Sequence, residues 1–213
     1  MRTAWRASIP GGFRHPVLTA ALRRVLRLLR LVATGLLAGA VAGFLAGGVG
    51  SRLAMRAVTL LAGAEHRGEL TEAQARVGEI TAEGTLFLLL AGTFLGMGGG
   101  LLYVAVRRWL PGRSWQKGLA FGIWLLAVLG WLIVDGDNVD FRLFVPSAVS
   151  VGLFAALYLL FGLIVAPLVE RLDRRGGRRP THRSLALAGY AILLISALAL
   201  GLPHDLAALR AIF

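Results

Sequence analysis

The chain has 213 residues, 57% of them hydrophobic and 16% charged, with a mean hydropathy of +0.73; a soluble domain carries about 25% charged residues, so the composition is that of an integral membrane protein. There is no cysteine, which excludes disulfide scaffolds, thiolate metal sites and cysteine nucleophiles. A net charge of +12 suits either nucleic acid or anionic lipid, and the placement of the cations along the chain decides for lipid.

A spanning helix needs about 20 mostly apolar residues, and backbone polar groups in hydrocarbon must pair internally, so each such stretch is expected to be a helix. Residues 1–30 form a basic arm carrying Arg2, Arg6, Arg14, Arg23, Arg24, Arg27 and Arg30. The arm does not have the short basic start and short apolar core of a cleavable signal, so the first span is expected to remain as a signal anchor. Within the arm, Val17–Arg30 sets Leu18, Leu22, Val25, Leu26 and Leu29 on one helical face and Arg23, Arg27 and Arg30 on the other. This pattern predicts a helix lying in the headgroup plane, as a topology anchor or as a lipid sensor.

The first span, 31–50, repeats glycine every four residues at Gly35, Gly39, Gly43 and Gly47, beside a ridge of Ala38, Ala42, Ala46 and Gly50. The second, 84–106, repeats the device at Gly92, Gly96 and Gly100. Residues four apart share a helix face, and glycine there lets two backbones approach closely. Three readings follow: spans one and two pack together, the first span pairs with a second copy of the chain, or the glycines line a pore. The outer loop between them, 51–83, holds Arg52 and Arg56 on one face. It then offers a short surface helix, with Thr71 and Gln74 as a capping box and Leu70, Ala73, Val77 and Ile80 as its apolar ridge.

The third span, 118–134, is short, and Lys117 is expected to extend it by reaching to the headgroups. The outer loop 135–142 places Asp135, Asp137, Asn138 and Asp140 within six residues, followed by Arg142. These oxygens suit a hard divalent cation such as Ca²⁺, although the later glycine and distal glutamate of a calcium loop are missing. They suit a turn equally, or an ionic cluster in which Asp135, Asp137 and Asp140 pair with Arg52, Arg56 or Arg142. The fourth span, 146–168, starts at Pro146. A basic loop, 170–183, the fifth span, 184–202, and a short tail, 203–213, complete the chain. Trp109, Trp115, Trp124 and Tyr103 are placed for interfacial anchoring.

Cations in successive segments between spans number seven, four, four, one, six and one, and nine of the eleven acids fall on the arginine-poor side. The positive-inside rule therefore puts the N-terminus in the cytoplasm and the C-terminus outside. No span has an ionisable residue in its interior, and His15, His66, His182 and His204 all fall in loops or termini. There is no Walker loop and no zinc-protease helix motif, so no catalytic residue and no cofactor is expected.

Ser-Arg-Leu-Ala-Met-Arg from Ser51, Gly-Thr-Leu-Phe-Leu-Leu-Leu from Gly84, Trp-Leu-Pro-Gly from Trp109 and Asp-Gly-Asp-Asn-Val-Asp-Phe from Asp135 together resemble a group of multi-pass membrane proteins of actinobacterial type. The similarity covers about Leu31 to Asp173, and 22 arginines against one lysine fit a GC-rich genome. It implies a bacterial plasma membrane and carries no activity. The expectation is an all-α integral membrane bundle of about five spans, non-enzymatic, structural or partner-binding, in contact with anionic headgroups and not nucleic acid. The alternatives are a small oligomeric transporter or channel, and an outer-face enzyme using a metal at the third-loop aspartates.

Overall fold

The computed structural model describes residues 16–61, 81–130, 147–173, 183–201, 203, 204 and 206, and among these it is helical with no strand. Helix α1 (Pro16–Ala42) passes through a π-helical segment (Gly43–Gly50) into α2 (Ser51–Leu61). The remaining helices are α3 (Ala82–Val106), α4 (Ser114–Leu129), α5 (Ser147–Leu172) and α6 (Arg183–Ser196), the last continued by a π-helical turn (Ala197–Gly201). The first span, α3 and α5 are long and apolar enough to cross a membrane, and α4 and α6 are shorter apolar helices.

The first span belongs to one continuous apolar helix, Ala20–Val58, of 39 residues. At 1.5 Å per residue it is about 58 Å long, nearly twice the ~30 Å of hydrocarbon. The segment expected to lie in the headgroup plane is therefore the N-terminal part of the spanning helix itself, its residues 20–30 exposed on all sides. The widening to a π-helix falls on the glycine-dense stretch Gly-Phe-Leu-Ala-Gly-Gly-Val-Gly.

Helix α3 starts at an N-cap, Thr81, whose Oγ1 accepts from the Gly84 amide at 3.2 Å. The α3–α4 connection turns at Gly112, where φ is +87°, a left-handed conformation open to glycine. The turn is closed by the Arg113 amide donating to Gln116 Oε1 at 2.7 Å. Helix α5 runs four residues past the expected limit of 168, through Pro167. Glu170, Arg171 and Leu172, expected in the basic loop, are thus its last turn. The capping-box helix of the outer loop, residues 131–146 and residues 174–182 lie outside the described residues.

Two pairs of helices are joined backbone to backbone. Along α1 and α3, Gly35 faces Gly100, Gly39 faces Gly96 and Gly100, Gly43 faces Gly92 and Gly96, and Gly47 faces Gly92. The numbers fall on one helix as they rise on the other, so the two are antiparallel. A Cβ on Gly43 would lie 2.6 Å from the Gly96 Cα, and one on Gly100 would lie 2.7 Å from the Gly39 Cα; no side chain fits between these backbones. Helices α4 and α5 repeat the arrangement with Gly118 and Gly122 against Gly162 and the Tyr158–Leu159 backbone.

The sequence reading did not single out the second pair, although Gly118 and Gly122 carry the same four-residue spacing. Helix α6 runs parallel to α4. It is held where the Trp124 indole donates to the Leu193 carbonyl and to Ser196 Oγ, both at 3.0 Å, and where Gly189 leaves room for the Trp109 ring. These two tryptophans pack inside the bundle rather than anchor it at an interface, whereas Trp115 is exposed.

The core between the pairs consists of Ala38, Ala42, Tyr103, Val106, Leu110, Phe121, Leu125, Val165, Ala166 and Val169, with Leu193 of α6. Tyr103 meets Phe121 edge-on at 5.2 Å, and Phe121 stacks on Trp124 at 5.9 Å. Outward, α3 leaves Leu86, Phe87, Leu90, Phe94 and Leu95 exposed, as α6 leaves Ile192, Leu194, Ile195 and Leu198. Contiguous apolar surface of this extent requires an apolar surrounding, and lipid provides it.

Candidate functional site

The polar residues that the structure brings together lie at the end of the bundle where α3 stops, α4 starts and α5 stops. Arg107 is the C-cap of α3, Lys117 lies in the first turns of α4, and Glu170 and Asp173 occupy the C-terminal end of α5 on one face. Arg107 forms a buried ion pair with Asp173, and Lys117 Nζ lies 3.0 Å from Glu170 Oε1. The same carboxylate oxygen accepts from the Tyr103 hydroxyl at 3.4 Å. Tyr103 is 0% exposed, Arg107 4%, Asp173 5% and Lys117 8%, so two cations and two anions are withdrawn from solvent together.

Helix polarity explains why these charges occur as a set. A cation near a helix N-terminus and an anion near a C-terminus are each disfavoured by the helix's own dipole. Lys117 and Glu170 both stand in that position. Because α4 and α5 are antiparallel, the start of one lies beside the end of the other. Lys117 therefore faces the negative end of α5, and Glu170 the positive end of α4. Each charge is disfavoured on its own helix and favoured by its neighbour. Lys117, expected to reach outward to the headgroups, is instead folded into the bundle. Arg107 keeps one nitrogen, Nη1, buried with no hydrogen-bond partner among the described residues. On the α1 side of the same end, Arg30 Nη2 donates to the Leu172 carbonyl at 3.4 Å.

The sequence pointed to the other end. Of the residues expected there, Arg52 and Arg56 lie on α2, Arg52 partly buried and Arg56 exposed. The Arg52 guanidinium rests against the start of α3, where a Cβ on Gly84 would lie 2.8 Å from its Nη2. Its Nε is buried with no hydrogen-bond partner among the described residues. Asp135, Asp137, Asn138, Asp140 and Arg142, with the divalent-cation reading that rests on them, lie outside the described residues. Among the described residues no group of three metal-ligating side chains occurs. The glycines expected to pack helices, Gly35, Gly39, Gly43, Gly47, Gly92, Gly96 and Gly100, are all at the α1–α3 contact.

Tyr103, Arg107, Lys117, Glu170 and Asp173 were not anticipated as a group. The signal was present: Glu170 and Asp173 are the only acids among the cations of the arginine-rich segments, and their three-residue spacing puts them on one helix face. No known protein family, curated protein or solved structure matches the chain.

Proposed function

We propose that this chain is a five-pass protein of a bacterial plasma membrane, of the actinobacterial multi-pass type it resembles, acting as a non-enzymatic structural or partner-binding bundle. The observation that carries the reading is the backbone-to-backbone contact of Gly35, Gly39, Gly43 and Gly47 with Gly92, Gly96 and Gly100. A glycine zipper of this kind fills the helix contact with main chain and leaves no path between the two helices. Helices that alternate in direction, as α1, α3, α4, α5 and α6 do, suit a chain with its N-terminus in the cytoplasm and its C-terminus outside. The exposed Arg23, Arg24, Arg27, Arg30, Arg108 and Arg171 would then lie where anionic headgroups attract them.

On the outer face, the buried Nε of Arg52 lacks an acceptor among the described residues, and a buried unpaired donor is unfavourable. We assign that acceptor to Asp135, Asp137 or Asp140, with Arg56 and Arg142 completing the cluster that a partner would engage. Two measurements test the reading. Single cysteines at residues 2 and 213 should react with an impermeant thiol reagent from opposite sides of sealed vesicles; labelling from one side only refutes the topology. Purified protein in vesicles should add no saturable solute or ion flux; such a flux would establish the second reading, a small oligomeric transporter. That alternative is favoured by the buried charges around Arg107, since ionisable residues enclosed in membrane bundles commonly mark transport paths.

A further inference from the structure

The bundle is built from two units of different internal stiffness. Within each, the paired helices touch through main chain: α1 with α3, and α4 with α5. Between the units the contact is made by side chains. The Phe161 ring covers Gly99, and Leu157 reaches Gly50, while Tyr103 and Phe121 meet edge to face. Main-chain contacts cannot yield without moving whole helices, whereas side chains can repack by changing rotamer.

The polar bonds that cross this seam at the Arg107 end are the Arg107–Asp173 pair, the Tyr103–Glu170 hydrogen bond and the Arg30–Leu172 contact. On the α5 side, all three partners stand on the segment that follows Pro167. Proline lacks an amide hydrogen, so the α-helical bond from residue 167 back to Leu163 is missing, and the end of α5 is less firmly tied to the rest of the helix.

We propose that Arg107, Asp173, Tyr103 and Glu170 form a latch that holds the two glycine-locked units shut at this end, and that the end of α5 beyond Pro167 is its moving part. In the closed state both charges of the Arg107–Asp173 pair are buried. When the latch parts, both are hydrated, and the apolar seam beneath them, at Ala166 and Val169, opens to that face of the membrane. Lys117 and Glu170 belong to the same unit and stay together. Burial of an ion pair contributes little net stability, but loss of one partner leaves an unpaired buried charge. Removing the Asp173 charge therefore shifts the balance towards the open state. This inference goes beyond the scaffold reading and does not depend on it.

The absence of native cysteine makes the test direct. The full chain in lipid nanodiscs carries a single cysteine at Ala166, which is 0% exposed, and its labelling rate by a charged thiol reagent is measured. The expected result is slow labelling in Ala166→Cys, labelling faster by at least about tenfold when Asp173→Asn is added, and slow labelling again with Asp173→Glu, which restores the carboxylate. A cysteine at Leu193, buried within the α4–α6 unit, should stay protected in every variant. Equal rates with and without Asp173→Asn would overturn the latch. So would fast labelling in Asp173→Glu, because charge would then not be the determinant. Fast labelling at Leu193 in Asp173→Asn would show a general loss of fold and would overturn it as well.

Discussion

The glycine contact between α1 and α3 makes a prediction with its own control. In Gly43→Ala the new Cβ would sit 2.6 Å from the Gly96 Cα, whereas ordinary van der Waals contact begins at 3.4 Å. The obstacle is main chain, so no rotamer change relieves it. The helices must part by about 0.8 Å, enough to forfeit a quarter to a half of the dispersion well of the contacts along that stretch. Overpacking of this kind destabilises by about 1–3 kcal/mol. Gly98, on the same helix, has nothing within 4 Å of its would-be Cβ. There, Gly98→Ala should instead stabilise by up to about 1 kcal/mol through the higher helix propensity of alanine. The two substitutions are chemically identical and should have opposite signs. Thermal unfolding of the purified protein in detergent measures both, with Gly43→Ala lowering Tm and Gly98→Ala leaving it equal or higher. Equal Tm for the two variants would refute the reasoning, since the packing claim assigns them different surroundings.

Other substitutions address the charges and tethers. Lys117→Met and Glu170→Met should each destabilise by about 3–5 kcal/mol, and the double variant should recover most of that loss, because an apolar pair can replace a buried ion pair while a lone buried charge is penalised; additive losses in denaturant titrations would show that the two do not act as a pair. Trp124→Phe keeps the stack on Phe121 but loses the indole donor to Leu193 and Ser196, for about 0.5–1.5 kcal/mol of stability; Ser196→Ala on top of it should add little if the hydroxyl acts through that indole. At the outer face, Arg52→Gln and Asp137→Asn should show coupling in a double-mutant cycle if the loop supplies the Arg52 acceptor, and additivity would remove that assignment. A calcium titration that raises Tm would instead favour a bound cation at the third-loop oxygens.

What could be read directly from the sequence was whatever depends on one helix at a time. Apolar runs bounded by arginine mark the spans, and a four-residue glycine period marks a face made for close approach. The partner of that face, α3, followed because it carries the same period at Gly92, Gly96 and Gly100. The α4–α5 contact was harder to see. Gly118 and Gly122 form one short repeat, and their neighbour α5 contributes a single glycine, Gly162, the rest of its contact being the main chain at Tyr158 and Leu159. A backbone that receives a glycine leaves no mark in its own sequence. The charged cluster was missed for a related reason. Arg107, Lys117, Glu170 and Asp173 lie next to span ends, where counting charges assigns them to water and lipid. Only the antiparallel placement of α4 and α5, and the extension of α5 past Pro167, bring the four together.

The two kinds of contact divide the specification of the bundle. Glycine faces bring helices close but select register weakly, because a slip of four residues sets glycine against glycine again. The α1–α3 face, with its repeated period, is the most exposed to this degeneracy. A buried ion pair has the opposite character: its net contribution to stability is small, while any arrangement that separates the partners leaves charges buried without compensation. Arg107 caps α3, and its partner Asp173 lies just past the end of α5, so a one-turn slip of α3 would move Arg107 by about 5.4 Å and break the pair. Tyr103, one turn earlier on the same face, would lose Glu170 in the same step. The charged end thus fixes the register that the glycine ridges leave open. A chain with Asp173→Asn should therefore populate slipped or open pairings while keeping its helix content.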